Sequence, residues 1–278
     1  MILDTHLHII DRKALSYPWL ENVPPLNDDF SYERYAREAK RCGITDVMHM
    51  EVDVAEADMA REIDYVKGKA AEPDSLLRGK IAACRPESDS FAAWLDKVSA
   101  DPFVKGLRRI LHTQPDDLSE SAVFRDNIRR MNGGRLSFDF CIFPRQNERA
   151  RVLVDSAPDM QFILDHCGNP DIANNGFDAW KGGIEEMARR PNVAAKISGI
   201  VVNANHETWS VETLRPYVEH VIASFGWDRV IWGSDWPVST MSGGLTSWVA
   251  ATQAIVAGAS ADERNALFCG NARRIWGF

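Results

Sequence analysis

Eight short apolar or β-branched runs recur along the chain, each followed by a longer amphipathic stretch. This alternation limits the fold more than any other feature. The runs are Ile2–Ile9, Asp46–Glu51, Arg78–Cys84, Val104–Leu111, Ser137–Phe143, Gln161–His166, Val193–Ser198 and Arg229–Gly233. Helical spacing fills the intervals at Ser31–Cys42, Glu56–Ala71, Ser88–Ser99, Ser119–Met131, Asn147–Ser156, Phe177–Arg190, Val211–Phe225 and Thr246–Ala257. Ser260–Phe278 reads as a ninth helix carrying Leu267, Ala272 and Ile275. Ser31 can cap the first helix and Gly43 can end it. Pro102 and Pro191 stop the helices before the fourth and seventh strands. Strands this apolar, alternating with helices, imply a parallel sheet covered on both faces. Eight units favour a closed (β/α)8 barrel, an α/β TIM barrel with an additional C-terminal helix. An open doubly wound sheet normally carries a glycine-rich phosphate loop after its first strand. Here that strand runs into His6-Leu7-His8, with no glycine before Gly43.

The length of 278 residues would suit two average domains, but single α/β barrels commonly run to about 250 residues. No linker, repeat or low-complexity stretch divides the chain, so residues 1–278 are expected to form one domain. A hydrophobic content of 45% is ample for a large core. Thirty-two basic against forty acidic residues leave a net charge of −8, which argues against a nucleic-acid partner. No apolar run reaches the roughly 18 residues of a membrane helix, and the N-terminus lacks the basic-then-apolar pattern of a signal peptide. A cytoplasmic location without membrane attachment is the expectation. The five scattered cysteines read as reduced thiols.

His6 and His8 stand two apart near the end of the first strand, so both imidazoles point to one side. Alone, this pair could equally be structural, bonded to backbone carbonyls. Other polar residues fall at strand ends, where barrel active sites are built. His166 closes the sixth run, Asp235 follows the eighth, Lys196 lies in the seventh, and Arg108 and Arg109 lie in the fourth. Singly, Asp235 could cap a turn, Lys196 could snorkel and Arg109 could face a helix. Their convergence on one barrel mouth favours a site.

His6-x-His8, Asp165-His166-Cys167-Gly168 and Gly233-Ser234-Asp235-Trp236-Pro237 together resemble the amidohydrolase superfamily, and most closely its amidohydrolase-2 branch of sugar-lactone hydrolases. Tyr17-Pro18-Trp19-Leu20, Lys105-Gly106-Leu107-Arg108-Arg109 and Pro191-Asn192-Val193 with Lys196-Ile197-Ser198-Gly199 add to the resemblance, which covers nearly the whole chain. It implies a barrel hydrolase opening a small lactone, with a sugar-acid (aldono- or aldaro-) lactone as the expected substrate. A lactone isomerase and a metal-dependent decarboxylase are alternatives within the superfamily. Decarboxylases of that group usually add a fifth-strand histidine ligand, which this sequence lacks. A non-catalytic sugar- or partner-binding barrel is the alternative from another class. Four ionisable groups at the mouth argue against it.

For lactone opening, Asp235 is expected to be the general base and to return its proton to the leaving alkoxide. His6, His8 or a metal between them would polarise the carbonyl. His166 and Arg108 would stabilise negative charge; Arg108 could instead hold a substrate hydroxyl or carboxylate, with Lys196 a weaker choice for that role. His6, His8 and Asp235, with His166 nearby, could form a mononuclear Zn²⁺ site. The pyrone-dicarboxylate lactonases of the branch work without metal, so no cofactor is strictly required. Binuclear members use a bridging lysine or glutamate and a fifth-strand histidine, so a two-metal site is not expected.

Trp19 and Tyr17 could wall the substrate ring or simply pack their loop. Arg145 could read a carboxylate or hydroxyl, or sit in solvent. His49 and Glu51 stand where the resemblance leads one to expect glutamine; Glu51 would disfavour an anionic substrate and could bind hydroxyls. His112, His206 and His220 are expected on the surface or on helices, and Trp232 and Trp236 in the packing of the mouth. The expected partner is a small-molecule lactone. A homo-oligomer is compatible with the chain, which does not specify one.

Overall fold

Strands without a polar face must be covered on both sides, and the eight runs assemble accordingly. The computed structural model describes residues 1–278. Its strands are β1 (Ile2–Leu7), β2 (Ile44–Met50), β3 (Leu77–Ala83), β4 (Val104–Ile110), β5 (Ser137–Cys141), β6 (Phe162–Leu164), β7 (Val193–Ile197) and β8 (Val230–Trp232). They pair in chain order, each neighbouring pair parallel. The gap between β8 and β1 is bridged just past the strands. There Asp235 donates its amide to the His6 carbonyl at 2.9 Å, and His8 to the Trp236 carbonyl at 2.8 Å. The Asp4 side chain adds a clasp by accepting the Ser234 amide at 2.8 Å. These bonds nearly close a (β/α)8 barrel.

The helices are α1 (Tyr32–Arg41), α2 (Met59–Ala70), α3 (Phe91–Ser99), α4 (Ala122–Arg129), α5 (Asn147–Asp155), α6 (Phe177–Ala188), α7 (Val211–Phe225) and α8 (Gly244–Ile255). Ser31 caps α1 by accepting the Arg34 amide at 3.3 Å, and Gly43 follows at φ +77°. No helix is long and apolar enough to cross a membrane. All five cysteines are free thiols.

Buried apolar side chains form two bodies. The larger one lies between sheet and helices. The smaller gathers Leu3, Met48, Met50, Ile81, Ile163, Ala194 and Ile231 with Cys269, Ala272 and Trp276 from the C-terminal segment. That segment therefore plugs the end of the barrel opposite the strand C-termini. It is the ninth helix that spacing predicts, widened by one π-helical turn. It runs as α9 (Ala261–Asn265), a π-helical turn at Ala266–Gly270, and α10 (Asn271–Trp276). The wider turn rephases the helix, so Leu267 and Phe268 pack in the larger core while Cys269 and Ala272 face the barrel interior. The sixth and eighth strands also end earlier than their sequence runs. His166, Cys167 and Asp235 take φ near +54° (53°, 53° and 54°), a left-handed geometry that leaves the sheet.

Candidate active site

The two-residue period of β1 places the His6 and His8 rings side by side, their centroids 4.8 Å apart. His8 Nδ1 donates to the Met50 carbonyl at 3.2 Å, because a carbonyl can only accept. Its Nε2 faces Asp235 Oδ1 at 3.4 Å. His6 Nε2 faces the same oxygen at 3.6 Å and has no hydrogen-bond partner although fully buried. Burial, reinforced by Lys196, holds the His6 pKa well below its ordinary value, so the ring is neutral. One donor atom from each of His6, His8 and Asp235 lies within 4.8 Å of the others. Two imidazoles and a carboxylate are a donor set that Zn²⁺ takes, and the orphaned His6 Nε2 fits such an ion.

His166 reaches the site from its left-handed turn after β6. Its Nδ1 pairs with Ser198 Oγ at 2.9 Å and stands 4.0 Å from Asp235 Oδ2. Burial opposes a charge on this ring, but the Asp235 carboxylate, helped by Cys141, carries its pKa above the ordinary value. Gly199, at φ +66°, covers the pair; a Cβ there would lie 2.4 Å from His166 Nδ1 and 2.8 Å from Asp235 Oδ2. Only glycine allows both the backbone conformation and the close approach.

Beneath these residues is a buried ionic floor. Lys196, fully buried, donates to Asp139 Oδ2 at 2.6 Å and lies 2.9 Å from Asp165 Oδ1 and 3.3 Å from His6 Nδ1. Arg108 Nε is 2.9 Å from Asp165 Oδ2, and its Nη1 donates to Glu51 at 3.3 Å. Burial alone would raise the Asp165 carboxyl, but Lys196 and Arg108 hold it well below the usual carboxylate range. Three carboxylates, Asp139, Asp165 and Glu51, and two cations, Lys196 and Arg108, thus pair with one another under the histidines.

The sequence model of the amidohydrolases matches residues 3–278. The chain belongs to the amidohydrolase family. Among curated relatives, an L-fucono-1,5-lactonase from Burkholderia ambifaria is 32% identical over 56% of this chain and 54% of the relative. A 4-sulfomuconolactone hydrolase from Rhizobium radiobacter is 26% identical over 85% of this chain and 75% of the relative. An amidohydrolase from Burkholderia multivorans, crystallised with bound zinc, shares the fold with a TM-score of 0.89. It is 19% identical, covering 100% of this chain and 99% of that one.

In this amidohydrolase a cavity of about 550 Å³ opens above the floor. Of the residues expected to contribute, His8, Trp19, Glu51, Arg108, His166 and Asp235 line it. Trp19 is held there by its Nε1 donating to the Val52 carbonyl at 2.8 Å. His6 lies at its base, fully buried. Two expected substrate contacts lie elsewhere. Lys196 is absorbed by the floor and does not line the cavity. Arg145 turns outward to Asp116 at 3.1 Å with 55% of its side chain exposed, because the short helical turn Pro144–Gln146 leads it away from the mouth. Tyr17 is loop packing, its hydroxyl accepting the Asp11 amide at 3.2 Å. Trp232 and Trp236 are fully buried.

Other residues line the cavity that spacing does not point to. His112, expected on the surface, lines the cavity, and burial with Arg108 nearby pushes its pKa down to about 4. Its place just past β4 was the available signal. Asn22, Thr113, Gln114, Asn169 and Asn203 supply neutral polar groups to the walls. Their types and spacing carry no pattern. Cys141 stands at the end of β5 and lines the same cavity.

Proposed function

We propose that this amidohydrolase hydrolyses a small, uncharged, polyhydroxylated lactone of the aldonolactone type. The observation that carries the reading is the Asp235 carboxylate at the cavity floor, with three imidazoles within 4.0 Å of it. Two relatives named for lactone opening support the reaction class. The preference for an uncharged ring rests on pairing. Arg108 is engaged by Asp165 and Glu51, and His112 is neutral at pH 7. The remaining walls offer hydroxyl and amide groups suited to sugar hydroxyls.

Asp235 Oδ accepts a proton from water as the water oxygen bonds to the lactone carbonyl carbon. When the ring C–O bond breaks, the same carboxyl returns that proton to the leaving oxygen, so no net proton is gained or lost by the protein in the cycle. His166, whose pKa Asp235 raises, and the Arg108 guanidinium line the cavity and would stabilise the developing oxyanion. Trp19 walls the ring and Glu51 accepts a substrate hydroxyl. His6, His8 and Asp235 would hold a divalent cation, with His166 alongside, and such an ion polarises a carbonyl and lowers the pKa of bound water. A zinc-bound structural neighbour supports that assignment.

The test is a panel of aldonolactones, aldarolactones and muconolactone-type acids, followed by pH indicator with and without chelator. Turnover concentrated in uncharged aldonolactones is expected, lost on chelation and restored by zinc. Decarboxylation of an aromatic acid, without turnover of any lactone, would overturn the reading. Chelator-insensitive turnover would remove the metal and leave the lactonase.

A further inference from the structure

Behind the cavity wall, on the outer side of the sheet, three ionisable residues are buried without any part in the chemistry above. His49 on β2 and Lys80 on β3 are fully buried, and Glu62 on α2 is 1% exposed. Lys80 Nζ lies 2.8 Å from Glu62 Oε2 and 2.9 Å from His49 Nδ1. The cluster ends on two backbone amides. Ile9 donates to His49 Nε2 at 3.4 Å, and Val52 donates to Glu62 Oε1 at 3.0 Å.

The directions of these bonds are consistent. The Ile9 amide can only donate, so His49 Nε2 accepts it, and the ring's other nitrogen, Nδ1, meets the Lys80 nitrogen. Lys80 Nζ in turn donates to Glu62. Burial holds Lys80 below its ordinary pKa against the pull of Glu62, and burial with Lys80 keeps His49 neutral.

The fastened amides adjoin the site. Ile9 follows His8, and Val52 follows Glu51. The short segment His49-Met50-Glu51-Val52 also takes the His8 ring on the Met50 carbonyl and the Trp19 indole on the Val52 carbonyl. One strand exit thus orients an imidazole, an aromatic wall and a carboxylate, and the buried cluster ties it to α2. Apolar residues fill such a volume at no desolvation cost, whereas a buried polar cluster gains little net stability. Its return is geometric.

We propose that His49, Lys80 and Glu62 are positioning residues of the active site, His49 acting through His8 and Glu62 through Glu51 and Trp19. The kinetic part of the test rests on the lactonase reading; the spectroscopic part does not. His49→Leu and Glu62→Ala are compared with Ile128→Ala, a buried control on α4, by steady-state kinetics, thermal melting and NMR of ¹⁵N-histidine-labelled enzyme. At matched loss of melting temperature, His49→Leu is expected to lower kcat about 10-fold at little cost in KM. Glu62→Ala is expected to raise KM several-fold, both effects being of the size that misplacement produces. His49→Leu should also displace the His8 Nδ1–H resonance, which the control leaves in place. His49→Gln and Glu62→Gln, which keep an acceptor for each amide, should recover most of the loss. If Glu62→Ala does not fold, Glu62→Asp decides the matter, since it keeps the charge but draws the carboxylate away from Val52. Kinetic constants matching the control, with the His8 resonance unmoved, would overturn the proposal. If the wild type turns over no lactone, the proposed function fails and the His8 resonance alone judges the positioning role.

Discussion

His8 Nε2 faces Asp235 Oδ1 at 3.4 Å, one residue at the exit of the first strand and the other just beyond the last. The backbone bonds that close the barrel join the same two segments, Asp235 to His6 and His8 to Trp236. Barrel closure and site assembly are therefore one event. A carboxylate so placed is an acceptor with a fixed direction, which general-base catalysis requires.

Replacing that acceptor tests its role. Asp235→Asn keeps the shape and the backbone bonds but removes the basic oxygen. We expect kcat to fall by at least ~10² on the best lactone, with an unchanged circular dichroism spectrum. Near-normal turnover would mean that another group is the base.

Glu51 is the carboxylate that pairs Arg108 in the cavity wall. It accepts from Arg108 at 3.3 Å and lines the cavity while only 1% exposed. Glu51→Gln removes one of the two carboxylates that occupy Arg108. The ratio of kcat/KM for a carboxylated lactone to that for its neutral counterpart should rise about 10-fold. An unchanged ratio would show that Arg108 does not select substrate charge.

Lys196 belongs to stability before catalysis. Lys196→Met leaves Asp139 and Asp165 facing each other without their shared cation. Loss of one member of a buried ionic cluster costs about 3–5 kcal/mol, read as a lower urea midpoint. Adding Asp139→Asn should recover part of that loss, a coupling visible in a double-mutant cycle.

Gly199 packs against His166 and Asp235 with no room for a Cβ. Gly199→Ala would drive a methyl group into His166 and Asp235 and strain a backbone at φ +66°. We expect a stability loss of about 1–3 kcal/mol and a fall in kcat of ~10² from the displaced imidazole. Activity within a few-fold of wild type would show that the pair tolerates displacement.

Local pattern made much of this protein legible. Each β-branched run became a strand and each amphipathic interval a helix, because strand and helix periodicity is written in neighbouring residues. The same periodicity put His6 and His8 on one side, and the polar residues at strand ends pointed to His166, Arg108 and Asp235. The C-terminal helix was legible in the same way, but its π turn was not, because a π turn changes phase without changing composition.

By itself, then, the sequence determined the eight β/α units, the residues at the strand ends and the family. Tertiary structure alone decided which of those residues meet the cavity. Lys196 sank between two carboxylates, Arg145 swung out to Asp116, and His112 turned in. Asp165 proved to be the hub joining Lys196, Arg108 and His6. These outcomes depend on where each strand stops and which way its last residue leaves the sheet. The left-handed turns at His166 and Asp235 are held by contacts between segments far apart in the chain, and no local spacing records them.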